Sequence, residues 1–359
     1  MKKLSAEAHA FLNDTALIAE RDMWFARMRD LFDGKDNEYN SKKVFTLHGI
    51  VPRPKDNSYL YTDPEDWIID CLELMLTQKA SITDGFTPVC VEYPPYGVHY
   101  IDKMLGANVY FHAGQWNADY LETPVGSLEM PDLDKDETWQ LSIRAAKAFL
   151  SADVKYPLFG LPTLSSPLNI LLNLYGQDAL FAMYDDEDAV RHDLDVITTL
   201  IRTLHRWYVN NIPKQQLQPV VSWARTQPPG YGQLCGCTTQ LVGSDMYREF
   251  IAELDNDILG EYEHGGMIHL CGSHTQHMET FRNMKNLRSI QLNDRAAEDL
   301  ELYLEGLRDD QMIYVNPCAK MPVERIMEIS NGERIVLVKS CTSPDKQMKE
   351  KTYGCTHRA

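Results

Sequence analysis

The chain contains no apolar run long enough to cross a bilayer as a helix, and its opening residues, Met1-Lys-Lys-Leu-Ser-Ala-Glu-Ala-His9, lack the apolar segment of a secretory leader. A membrane-embedded role is therefore not expected, and the cytoplasm is the expected location. Positive charge is scarce. Against 35 Lys and Arg stand 52 Asp and Glu, a formal net charge of −17. That balance argues against a nucleic-acid or anionic-membrane partner, and against a polyanionic substrate unless cations are concentrated at one site. No Gly-x-Gly-x-x-Gly occurs, so the phosphate turn of a dinucleotide-binding sheet is missing. Eight cysteines in 359 residues are too few for a disulfide scaffold of this length. Several lie in apolar strand-like runs, as free thiols of a reducing compartment do.

What is present is enough apolar residue, 44%, to fill a large core. Apolar spacing over 6–32 is helical, and Thr62-Asp-Pro-Glu65 reads as a capping box opening a helix over 66–78, with an irregular proline-bearing stretch before it. Residues 1–85 are thus expected to form an N-terminal helical extension packed on a domain formed by 86–359. In that domain, short apolar runs at 89–93, 108–112, 156–160 and 219–223 read as strands, with long helices over 169–180 and 186–209. The acidic run Asp185-Asp-Glu-Asp188 suits a helix N-terminus, where the dipole favours negative charge. Strands at 267–271, 287–292, 312–316 and 335–339 alternate with amphipathic helices over 275–285, 296–307 and 323–330. This βαβα repetition predicts a parallel sheet, and about eight such strands favour a single (β/α)8 TIM-type barrel.

Catalytic groups of such barrels sit at the C-terminal ends of strands. His269, Cys271 and Cys341 fall there, as do Asn293, Asp294, Asn316 and Cys318. His269 and Cys271 are two apart in the run Gly265-Gly-Met-Ile-His-Leu-Cys-Gly272, so they project from one face of a strand and form half of a zinc site. Cys341, at the end of the last strand, supplies a third ligand and leaves one position open, as catalytic zinc requires. Cys318 is a rival third ligand. Cys235-Gly-Cys237 suggests a second metal site, but a plain loop is the stronger reading. His274 and His277 are either second contacts of the site or surface histidines. Tyr93, Tyr96, His99, His112 and Trp116 follow early strands and form either an aromatic wall for a ligand or half-buried packing.

Ile268-His-Leu-Cys-Gly272, Ser340-Cys341, Ser166-Pro-Leu-Asn-Ile-Leu-Leu-Asn-Leu-Tyr-Gly176 with Tyr184-Asp-Asp-Glu-Asp188, and Ser244-Asp-Met-Tyr-Arg-Glu-Phe250 together resemble the uroporphyrinogen decarboxylase superfamily, in its zinc methyltransferase branch. That branch includes the methylcobamide:coenzyme M methyltransferases, with cobalamin-independent methionine synthases more distant. The resemblance implies zinc on His269, Cys271 and Cys341, with no catalytic residue beyond the ligands. It also implies a place in one-carbon metabolism: a methyl group moves between a corrinoid and a thiol or tetrahydrofolate acceptor activated by the metal. Asp294 is the candidate fourth ligand. His274, Asn316, Tyr93 and His112 are candidate substrate or outer contacts. The Met-Arg-Gln-Ala-Gly-Arg motif of the decarboxylases has no counterpart, and neither does the corrinoid-binding Asp-x-His-x-x-Gly. A corrinoid would therefore arrive on a partner protein. The alternatives are a metal-free decarboxylase-like lyase, or a non-catalytic barrel that binds a corrinoid partner or small ligand around structural zinc.

Overall fold

The structure is a computed structural model that describes residues 2–35, 44–47, 51–77, 85–162, 164–218 and 225–338. Cys341 and the expected strand at 219–223 lie outside these residues. Six parallel strands form the main sheet: β1 (Val44–Leu47), β7 (Gly232–Cys235), β8 (Gly266–Cys271), β9 (Leu287–Asn293), β10 (Met312–Val315) and β11 (Ile335–Val338), in the order β1-β11-β10-β9-β8-β7. A second parallel sheet orders β2 (Cys90–Glu92), β5 (Leu158–Gly160) and β6 (Leu217–Gln218) as β2-β5-β6. Single bridges, Leu47 to Phe86 and Ser165 to Cys235, relate the segments bordering the two sheets. The architecture is α/β and TIM-like in arrangement. Among the described residues the parallel ladders make two sheets, and one continuous closed ring of eight strands is not seen.

Alternation along the strands sorts their side chains. Leu234, Ile268, Leu270, Ile290, Leu292, Ile313, Val315, Ile335 and Leu337 join the large core beneath the helices. The intervening positions face inward, where Leu47, Cys90, Leu158, Met267, Met312, Tyr314 and Val336 form a second core. Phe25, Met28, Leu31 and Phe32 of the helix Thr15–Phe32 complete it. Phe32 meets Tyr231 edge-on at 5.0 Å between ring centroids, and the Tyr314 hydroxyl lies 3.9 Å from Met28 Sδ. This helix therefore plugs the strand-start end of the inner core, opposite His269 and Cys271. Each such side chain removed from water contributes about 1.5–3 kcal/mol.

Local expectations change at several points: the helix expected over 169–180 is broken at Gly176, at φ +59°, into Pro167–Tyr175 and Gln177–Asp185, and that over 296–307 divides into Arg295–Glu298 and Leu300–Gly306. Residues 44–47, read as part of a helical stretch, form β1 and pair with β11. The expected strand at 108–112 becomes β3 (Val109–His112), which turns back on β4 (Gln115–Ala118) as an antiparallel hairpin outside the parallel sheets. The capping box does not form: the helix runs Pro64–Leu74, and its N-cap Asp63 makes no side-chain cap bond. Glu65 is instead paired with Arg144 at 2.7 Å. By contrast, Asp186 caps Glu187–Asn211, accepting from the Ala189 N–H at 3.2 Å, with Glu187 and Asp188 in the first turn. Among the described residues no helix is long and apolar enough to cross a membrane.

Two predictions follow from the packing. Gly266 faces Gly232 across the β7–β8 ladder, and a Cβ at 266 would lie 2.4 Å from the Gly232 carbonyl oxygen. Gly266→Ala should therefore cost about 1–3 kcal/mol, seen as a lower denaturant midpoint. The second concerns Asp255, which is fully buried and accepts from the Tyr247 hydroxyl at 2.9 Å while its Oδ1 has no partner. Burial pushes its carboxyl up from 3.8 to about 7. The native state then binds the proton that the unfolded chain has released, so this group lowers stability progressively as pH rises from about 4 to about 7. Asp255→Asn should flatten that part of the stability–pH profile. An unchanged slope in denaturant titrations across the range would count against the assignment.

Candidate metal centre

The parallel register builds the site. Cys235 is the ladder partner of His269, His269 of Gln291, and Gln291 of Tyr314, while one layer higher Cys271 is the partner of Asn293. Paired residues of parallel strands point the same way, so these side chains line one inner surface at the C-terminal ends of the strands. Turns complete the surface. Gly272, at φ +81°, ends β8 where a Cβ would run into the Gln240 side chain. Gly236 continues the ladder past β7, donating to the His269 carbonyl at 2.9 Å, and brings Cys237 up beside Cys271.

The hydrogen bonds settle the state of His269. Arg225 Nε can only donate, and it does so to Gln291 Oε1 at 2.6 Å. That orients the amide, and the same oxygen accepts from His269 Nδ1 at 2.7 Å. Gln291 Nε2 in turn donates to Asn316 Oδ1 at 3.1 Å. His269 therefore carries a proton on Nδ1 and turns Nε2 toward the Cys271 sulfur, 3.1 Å away. An imidazole fixed from behind in this way is the usual posture of a metal-bound histidine.

Three thiols surround that nitrogen. Cys235, Cys237 and Cys271 form one buried cluster, and the Cys235 and Cys237 sulfurs are 3.4 Å apart. The ligand atoms of Cys235, Cys237 and His269 lie within 4.8 Å of one another. The hydrogen bond from Cys237, opposed by burial, holds the Cys235 thiol below its ordinary value. The same bond, a second to Cys271 and burial push Cys237 well above its ordinary value. Asn293 Nδ2 points at the Cys271 sulfur from 3.7 Å.

Of the residues expected from the sequence, His269 and Cys271 come together, and Asn316 reaches them through Gln291. Asp294 follows β9 with φ +48°, a strained value for a residue other than glycine, and its Oδ2 accepts from Asn293 Nδ2 at 3.4 Å. Partial desolvation and then the Cys271 sulfur push its carboxyl up. His274 is fully buried, with Nδ1 3.0 Å from the Gly272 carbonyl and Nε2 3.3 Å from that of Cys237. It tethers the two turns that carry Cys271 and Cys237. His277 is equally buried and meets the Thr239 carbonyl at 2.8 Å. Tyr93 is packed in the helix-side core against Trp67 and donates to the Leu60 carbonyl. His112 is exposed at the end of the β3–β4 hairpin. Tyr96 and Trp116 do pack together, at 5.2 Å, and His99 pairs with buried Asp102 at 2.6 Å. Cys318 sits in a turn whose backbone is paired with Met321.

Sequence reasoning missed four members of the site. Cys235 and Cys237 were read as loop residues, yet Cys235 ends a strand. Gln291 was detectable, since it alternates inward between Ile290 and Leu292. Arg225 carries no local signal.

No protein-family model matches the sequence. No curated protein matches it either. Among solved structures, a methyltransferase from Methanosarcina mazei superposes with a TM-score of 0.59 at 10% sequence identity, covering 88% of this chain and 92% of that one. At that identity the likeness is one of fold.

The role of Gln291 is testable. Gln291→Met keeps the volume but removes the acceptor that orients His269. Zinc affinity, measured by competition with a chromophoric chelator, should fall about 10- to 100-fold; unchanged affinity would show that the Arg225–Gln291–His269 chain does not serve a metal.

Proposed function

We propose that this chain is a cytoplasmic methyltransferase that moves a methyl group between a corrinoid carried on a partner protein and a thiol or tetrahydrofolate acceptor, with zinc at the end of β8 activating the acceptor. The observation that carries the reading is His269 Nε2, oriented by Gln291 and aimed at a buried cluster of thiols at the C-terminal ends of parallel strands. Soft sulfur and imidazole donors suit zinc. The resemblance noted in the sequence and the fold shared with a methyltransferase point the same way.

When bound, zinc supplies Lewis acidity that lowers the proton affinity of an acceptor thiol and keeps it a nucleophile at neutral pH. His269 and Cys271 would hold it, and the resemblance adds Cys341. In the transfer to a thiol, the acceptor loses its S–H proton and sulfur donates both electrons of the new S–CH3 bond. The methyl–cobalt bond breaks heterolytically and leaves its electron pair on cobalt. Gln291 and Arg225 hold His269 in one orientation throughout, so the imidazole does not have to reorganise. Asp294, whose carboxyl has a raised proton affinity beside Cys271, would take up the thiol proton. The inner surface orients the acceptor toward the mouth where the partner's corrinoid would approach.

A second reading is favoured by one observation. Cys235 and Cys237 bring the donors at hand to four, and a closed set of three cysteines and a histidine is typical of structural zinc. Turnover at such a set requires one cysteine to yield its place to the acceptor.

The test is zinc content together with consumption of methylcobalamin in the presence of a thiol panel and of tetrahydrofolate. Wild type should carry about one zinc per chain and transfer methyl to at least one acceptor, and Cys271→Ala should lose both. A zinc-replete protein inactive with every acceptor and with its methylated corrinoid partner would leave the structural-zinc reading. Failure to bind or reload zinc would bring the metal-free lyase forward.

A further inference from the structure

Cys235 and Cys237 repeat, one strand over, the relation between His269 and Cys271. Each pair is two apart, and Cys235 stands opposite His269 in the β7–β8 register. The four side chains therefore make a two-by-two array on two adjacent strand ends, with Cys237 beside Cys271 in the upper row. Gly236 is what permits it: its N–H stays in the ladder with the His269 carbonyl at 2.9 Å, and a Cβ there would lie 2.9 Å from Ile268 Cγ2. His274 holds the top of the array together, between the Gly272 and Cys237 carbonyls. All four residues are buried, and the three thiols form one cluster.

The dimensions suit one ion. Zinc bonds of about 2.3 Å to sulfur and 2.0–2.1 Å to nitrogen set tetrahedral edges of about 3.8 Å between sulfurs and about 3.6 Å between sulfur and nitrogen. The Cys235–Cys237 sulfurs are 3.4 Å apart, and His269 Nε2 is 3.1 Å from the Cys271 sulfur. At these two edges, exchanging hydrogen bonds for metal bonds requires an opening of only a few tenths of an ångström, and Cys235, Cys237 and His269 already lie within 4.8 Å of one another.

We infer that Cys235 Sγ, Cys237 Sγ, His269 Nε2 and Cys271 Sγ together bind one soft divalent metal ion, so that β7 and β8 alone hold it and Cys341 is not needed for retention. This rests on the zinc reading above and changes the ligand set: three sulfurs and one nitrogen, drawn from two neighbouring strands. The first strand's pair, Cys235-Gly-Cys237, then belongs to the same centre as His269 and Cys271 and is not a separate site.

The experiment is zinc K-edge X-ray absorption on the full-length zinc-loaded chain, with Cys341→Ala, Cys235→Ser and Cys237→Ser beside the wild type. Wild type should show three sulfur scatterers and one nitrogen, and Cys341→Ala should show the same. Cys235→Ser and Cys237→Ser should each lose one sulfur. Two sulfurs in the wild type overturns the assignment without recourse to any variant, which covers the case in which a serine variant fails to fold. Loss of a sulfur in Cys341→Ala also overturns it. Methyl transfer is read separately: three sulfurs without transfer refutes the proposed function alone, and transfer with two sulfurs refutes this ligand set alone.

Discussion

Polar side chains on the inner face of a parallel sheet cannot reach water, so they must satisfy one another, and the rest of this site follows from that constraint. The row Cys235, His269, Gln291, Tyr314 crosses four strands in strict register. Gln291 is its pivot. Its oxygen serves Arg225 and His269 together, and its amide nitrogen serves Asn316. Below it the network continues: Ser289 donates to Gln227 Oε1, Gln227 Nε2 donates to the Gly232 carbonyl, and Gln218 exchanges bonds with the Gln227 backbone. A proton on His269 Nδ1 is the consequence of an arginine two residues removed in the chain of contacts. A hydrophobic residue at 291 would remove the acceptor that holds the proton on Nδ1.

The two ends of the inner core divide the labour. At the strand starts, the helix Thr15–Phe32 fills the space with Phe25, Met28 and Phe32, which makes that end a packed floor. At the strand ends, thiols, imidazole and amides gather instead. Rigidity below and chemistry above is the arrangement parallel α/β folds use for catalysis. An N-terminal segment that covers the mouth is thus not what the helix at 15–32 provides.

Much of this was legible in the chain. The strands 267–271, 287–292, 312–316 and 335–339 were marked by apolar runs separated by amphipathic stretches, and the structure places strands at each within a residue or two. Within Met-Ile-His-Leu-Cys the alternation already separates Ile268 and Leu270 from His269 and Cys271. The strand Val44–Leu47 was not legible, because four residues carry too little periodicity to stand out. Nor was the hairpin fate of 108–112, since a half-polar strand reads the same whether its neighbour is parallel or antiparallel. The capping box failed because Glu65 found a better partner in Arg144, 79 positions away, than in its own helix terminus.

The sequence by itself determined the class of donors and one pair of them. An i, i+2 spacing in a strand forces His269 and Cys271 onto one face whatever the rest of the chain does. Only the tertiary structure decided that Cys235 and Cys237 join them, that Arg225 and Gln291 set the tautomer, and that Tyr93 and His112 lie elsewhere. The reason is physical: spacing within a strand is fixed by backbone geometry, whereas which strand lies alongside, and in which register, is fixed by the packing of both cores at once.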